Sequence, residues 1–115
     1  MLMLTRELNE SLLFEHVKSG TSVVLTFAGT GKSVGGRFAI LDIEVHTADG
    51  TSKRSHLLAY NEDFIIEEIK TLIKLYRPTF GEPSTRDILF GIDAPISVNI
   101  VRTELANGKQ KKKRN

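Results

Sequence analysis

Cysteine is absent from this chain of 115 residues, which rules out disulfide frameworks and thiolate metal sites. Nothing then argues for an oxidising compartment. Also missing is any apolar run approaching the roughly 20 residues that a membrane helix needs. The N-terminus lacks the charged region and apolar stretch of a secretory leader. The expectation is an unprocessed, soluble, cytoplasmic protein without membrane contact. The three histidines, His16, His46 and His56, show no ligand spacing and have no acidic cluster beside them in sequence, so no metal site is expected. No Ser-His-Asp or paired-carboxylate arrangement stands out, and the expectation is a non-enzymatic chain without a cofactor.

A hydrophobic content of 40% in a chain this long supports one domain with a real core. The net charge of +2 hides a division, because Lys109, Lys111, Lys112, Lys113 and Arg114 lie in the last seven residues and leave a body of 11 basic against 14 acidic side chains. Residues 109–115 read as a disordered basic tail suited to nonspecific phosphate contact. A mildly acidic body meets a polyanion only through a local basic patch, the tail, or both.

Most of the chain carries strand signals. Leu2, Leu4 and Leu8 alternate with Met3, Thr5 and Glu7, placing Arg6 on the leucine side, before an Asn9-Glu10-Ser11 turn. Residues 12–16 give a second strand and 23–27 a buried one. Residues 38–45 and 55–60 pair across an Asp49-Gly50 hairpin turn. The spacing of Ile65, Ile69, Leu72 and Tyr76 predicts a helix over about 62–76, N-capped by Asn61 and stopped at Arg77-Pro78. Residues 80–86 read as a loop before a strand at 87–92, and no internal repeat is expected. Thr26-Phe27-Ala28-Gly29-Thr30-Gly31-Lys32-Ser33 imitates a phosphate-binding loop. It lacks the first glycine, however, and Val34-Gly35-Gly36 is a poor helix start, so a hairpin loop is the reading. Lys32 and Arg37 would add basic character there.

The two ends carry a pattern of their own. Met1-Leu2-Met3-Leu4-Thr5-Arg6 opens the chain. Gly91-Ile92-Asp93-Ala94-Pro95 forms a turn, followed by an alternating strand over 97–102 and the closing Arg102-Thr103-Glu104-Leu105. These blocks, residues 1–14 and 86–105, resemble the carbon storage regulator (CsrA/RsmA) family of RNA-binding translational regulators. The resemblance implies a mainly β fold, a CsrA-like intertwined β-strand dimer. The first strand of one chain would lie beside the last strand of the other, giving two equivalent RNA sites. It places a single CsrA-like domain over residues 1–108, with an insertion somewhere within about 18–85 that contains the one inserted α-helix. That helix would cover the sheet.

As implied by the resemblance, the RNA contacts are Leu4, Thr5, Arg6, Ala94, Pro95, Val98, Ile100, Val101, Arg102 and Glu104, reading GGA-containing single-stranded loops in messenger leaders or small RNAs. Arg102 leads this set, since a planar guanidinium reaches both a phosphate and a base edge. Glu7, Ile96 and Val101 stand where the family commonly has a basic residue, a lysine and a histidine. Those departures favour the alternative of a protein-interaction module, or a modulator of another CsrA-family protein, that has lost specific RNA binding.

Overall fold

A computed structural model describes residues 1–60, 62–76 and 87–102. Among them are nine strands: β1 (Leu2–Glu7), β2 (Ser11–His16), β3 (Ser22–Ser33), β4 (Gly36–Thr47), β5 (Gly50–Ala59), β6 (Asp63–Ile66), β7 (Thr71–Tyr76), β8 (Asp87–Asp93) and β9 (Val98–Arg102). They form two antiparallel sheets with orders β1-β8-β7-β6 and β5-β4-β3-β2-β9. The period-two alternation holds along the inner strands. Val23, Leu25 and Phe27 of β3, and Ala39, Leu41, Ile43 and Val45 of β4, are buried, with less buried residues between them.

The inward faces of both sheets share one apolar cluster. Phe27 and Phe90, from opposite sheets, meet edge-to-face with ring centroids 6.5 Å apart. Full burial of such a side chain contributes about 2–3 kcal/mol. Strand β5 is almost wholly exposed apart from Leu58, and its Ser52-Lys53-Arg54-Ser55 stretch keeps that sheet edge polar.

The helix expected over 62–76 is not formed. Asp63–Ile66 is a strand, Glu67–Ile69 a single 3-10 turn, and Thr71–Tyr76 a second strand antiparallel to the first. Apolar spacing over this stretch fits a helix, but the alternation of buried Thr71, Ile73 and Leu75 fits a strand equally well. The density of β-branched residues (Ile65, Ile66, Ile69, Thr71, Ile73) then favours the strand. Lys70, in the left-handed region at φ 51°, reverses the chain. Glu62 is not in a first helical turn; its carboxylate accepts the Ala59 backbone N–H at 3.0 Å. The segment is thus part of the sheet and not a cover over it.

The intertwining of two chains is also replaced. Strand β1 pairs with β8, and β9 with β2, within the same chain. Residues read as an insertion supply β3 to β7, that is, the inner strands β3, β4 and β7 and the edge strands β5 and β6, while the terminal blocks supply the inner strands β2 and β8. The phosphate-loop imitation is the β3–β4 hairpin, with Lys32 opposite Arg37 and a register shift between Phe27 and Gly29. Phe38 lies over Gly31: a Cβ at this position would stand 2.3 Å from the tip of the ring, so a larger residue would have to displace it. Asp49-Gly50 turns as expected, with Gly50 at φ 135°. Residues 77–86, read as a helix stop and a loop, lie outside the described residues.

Candidate nucleic-acid interface

Strand β1 ends in a tight turn into β2, and Arg6 holds it. Its guanidinium donates to the Ser11 carbonyl from Nη1 and to the Thr5 carbonyl from Nε, each at 3.0 Å, and lies 3.5 Å from Glu10. The Glu10 carboxylate in turn accepts the Glu7 N–H at 2.8 Å. Asn9 completes the turn at φ 71°, a conformation asparagine tolerates, and its N–H donates to the Phe27 carbonyl. Arg6 is only 5% exposed. Burying a guanidinium is costly unless its donors are satisfied, and here the carbonyls at the turn satisfy them.

Strand β9 lies on the outer side of β2, with Arg102 opposite Leu12, the residue after Ser11. Arg6 and Arg102 therefore converge on the same short segment. Arg102 is exposed. Among the described residues β1 has a neighbour on one side only, and so does β9. Among the described residues no strand pairs with the outer edge of either, although on β1 the Thr5 carbonyl is taken by Arg6 and the Glu7 backbone by Glu10. The β3–β4 hairpin runs past Phe27, whose N–H donates to the Glu10 carbonyl. The hairpin therefore extends at the same end of the molecule as the turn and Arg102, and carries exposed Lys32 and half-buried Arg37 there.

The residues singled out from the sequence fall into three groups. Leu4, Arg6 and Val98 are buried, so their side chains shape the corner from behind. Thr5 and Arg102 are exposed, while Ala94, Pro95, Ile100 and Val101 are half-buried; Ala94 and Ile100 pack on the core. Ala94-Pro95 forms the turn into β9, where the Val98 N–H donates to the Pro95 carbonyl. Glu104 and the basic residues Lys109, Lys111, Lys112, Lys113 and Arg114 lie outside the described residues.

Arg6, an RNA contact by the resemblance, is in sequence also open to an ion pair with Glu7, Glu10 or Glu104 that holds the strands; the Glu10 contact is present, and the bonds to the Thr5 and Ser11 carbonyls were not foreseen. The signal was present in the buried parity it shares with Leu4. Among the described residues no group of three or more metal-ligating side chains occurs, and no helix is long and apolar enough to cross a membrane. A scan of protein-family models and searches of curated proteins and of solved structures each found no match.

Proposed function

We propose that this chain is an RNA-binding post-transcriptional regulator that takes a GGA-type single-stranded loop at the corner formed by β1, the β1–β2 turn and β9. The observation that carries this is the exposed Arg102 at the end of the sheet's last strand among the described residues, one residue step from the turn that Arg6 holds. Single-stranded loops are read by fixed hydrogen-bonding groups on base edges, and the Arg102 guanidinium beside backbone groups that pair with no strand among the described residues would supply them. The end blocks resembling the carbon storage regulators fall on these elements. Occupying a ribosome-binding region would exclude ribosomes or alter decay of the message.

A second reading has its own support. Met1, Leu2, Met3 and Leu8 are 44–59% exposed along and beside β1, an apolar edge that suits a protein partner better than a phosphate backbone. Filter binding separates the two, using a hairpin with GGA in its loop against one with the motif scrambled, each at two salt concentrations. Preference for GGA that survives added salt is expected. Equal, salt-sensitive binding to both would reduce the activity to its basic side chains, and no binding would leave the protein-partner reading.

A further inference from the structure

The two sheets are related by a simple exchange. Swapping β1 with β5, β2 with β6, β3 with β7 and β4 with β8 turns the order β1-β8-β7-β6 into β5-β4-β3-β2. The registers agree with it residue by residue. Leu12 faces Leu25 as Phe64 faces Ile73, and Leu25 faces Ile43 as Ile73 faces Ile92. The first turn is also built twice. Glu10 donates its N–H to the Glu7 carbonyl and takes the Glu7 N–H on its carboxylate, and Glu62 does both with Ala59. The chain is therefore internally two-fold, from two structural repeats that share the motif Asn-Glu-x-x-x-x-Glu at residues 9–15 and 61–67.

Symmetry fails at one place. Strand β9 lies beside β2, and among the described residues nothing lies in the equivalent position beside β6. The first repeat has no counterpart of β9, because β4 turns straight into β5 at Gly50. At the second corner the residues equivalent to Leu2, Leu4 and Arg6 are Arg54, His56 and Leu58. Arg54 forks onto Glu68 at 2.9 and 3.0 Å, and the His56 ring stacks on Phe64 with centroids 3.9 Å apart. Glu68 stands in the place of His16, which faces the first residue of β9 in the other corner. Side chains thus span the gap that a strand fills elsewhere.

We infer that one chain makes a complete two-fold body with a single RNA-reading corner, the second being closed by Arg54–Glu68 and His56–Phe64, so that each chain binds one RNA. The inference rests on the reading under Proposed function. The resemblance implies two sites made by two chains; here, among the described residues, the second corner has no counterpart of β9, carries Leu58 in the place of Arg6, and is bridged by side chains.

Native mass spectrometry of the full chain with the GGA hairpin RNA in excess tests this, beside Arg102→Ala and Arg54→Ala. A complex of one chain with one RNA is expected. Arg102→Ala should weaken it at least about tenfold, while Arg54→Ala keeps RNA affinity and lowers the melting temperature. Two RNAs on one chain, or RNA held only by paired chains and never by a single one, would overturn the inference and leave RNA binding standing. A melting temperature unmoved by Arg54→Ala would overturn the closed corner. No complex at all would defeat the functional reading itself, and the single RNA site with it.

Discussion

Two arginines at the same corner have opposite occupations. Arg6 is buried and hydrogen-bonded to the Ser11 and Thr5 carbonyls, whereas Arg102 is exposed at the end of β9. Removing Arg6 takes the donors from the part-buried Ser11 and Thr5 carbonyls and loosens the β1–β2 turn. Arg6→Ala should cost about 2–3 kcal/mol, read as a lower urea midpoint. Arg102→Ala should change stability by less than about 0.5 kcal/mol and lose GGA-hairpin affinity at least about tenfold. If Arg102→Ala unfolds the protein and Arg6→Ala does not, the assignment of roles is reversed. The sequence shows both residues plainly, but not which is turned inward; parity with Leu4 indicates it only once β1 is known to bury that face.

Among the elements, residues 62–76 separate pattern from structure. Ile65, Ile69, Leu72 and Tyr76 satisfy helical spacing, yet the chain forms β6, a 3-10 turn and β7. A 15-residue stretch of mixed apolar and charged residues meets both periods. What decides is whether a sheet edge is available to pair with, and that is a long-range fact. Lys70 gives a test with a sign. In a helix, glycine here would cost about 1 kcal/mol. In the left-handed turn observed, relief of the strained φ should make Lys70→Gly neutral or stabilising by up to about 1 kcal/mol. Thermal unfolding measures it. The strands of 1–60 were legible where apolar residues mark them, as at 23–27 and 38–45, but β3 runs on past its register shift to Ser33 and β5 begins at Gly50 in polar residues that carry no such mark; Asp49-Gly50 marked its own turn. The Ala94-Pro95 turn and β9 were equally clear.

The molecule as a whole is organised by its internal two-fold, which the sequence conceals. The repeats share the Asn-Glu turn and little else, because buried positions accept Leu, Phe or Ile interchangeably. The pairing of β1 with β8 and β2 with β9 joins the chain ends, and the closed corner substitutes an ion pair and a ring stack for a strand. The Arg54 fork holds the Glu68 carboxyl below the usual glutamate range, and Glu68 holds Arg54 above its own. A carboxylate with a depressed pKa stabilises fully above its unfolded value, and the gain is lost as pH falls through the folded one. The pair is solvent-screened and worth about 0.5 kcal/mol, so Glu68→Gln should lower the melting temperature by about 2–4 °C at pH 7. The difference should close as pH falls below the ordinary glutamate value.

The central claim, that one corner of a two-fold body reads RNA, is tested most directly by following backbone amide resonances while a GGA hairpin is titrated into the isotope-labelled chain. Saturating shifts are expected at Thr5, the β1–β2 turn, Val101 and Arg102, with Arg54, His56 and Ile65 unmoved. Shifts centred on β5 and β6, or spread equally over both corners, would contradict it.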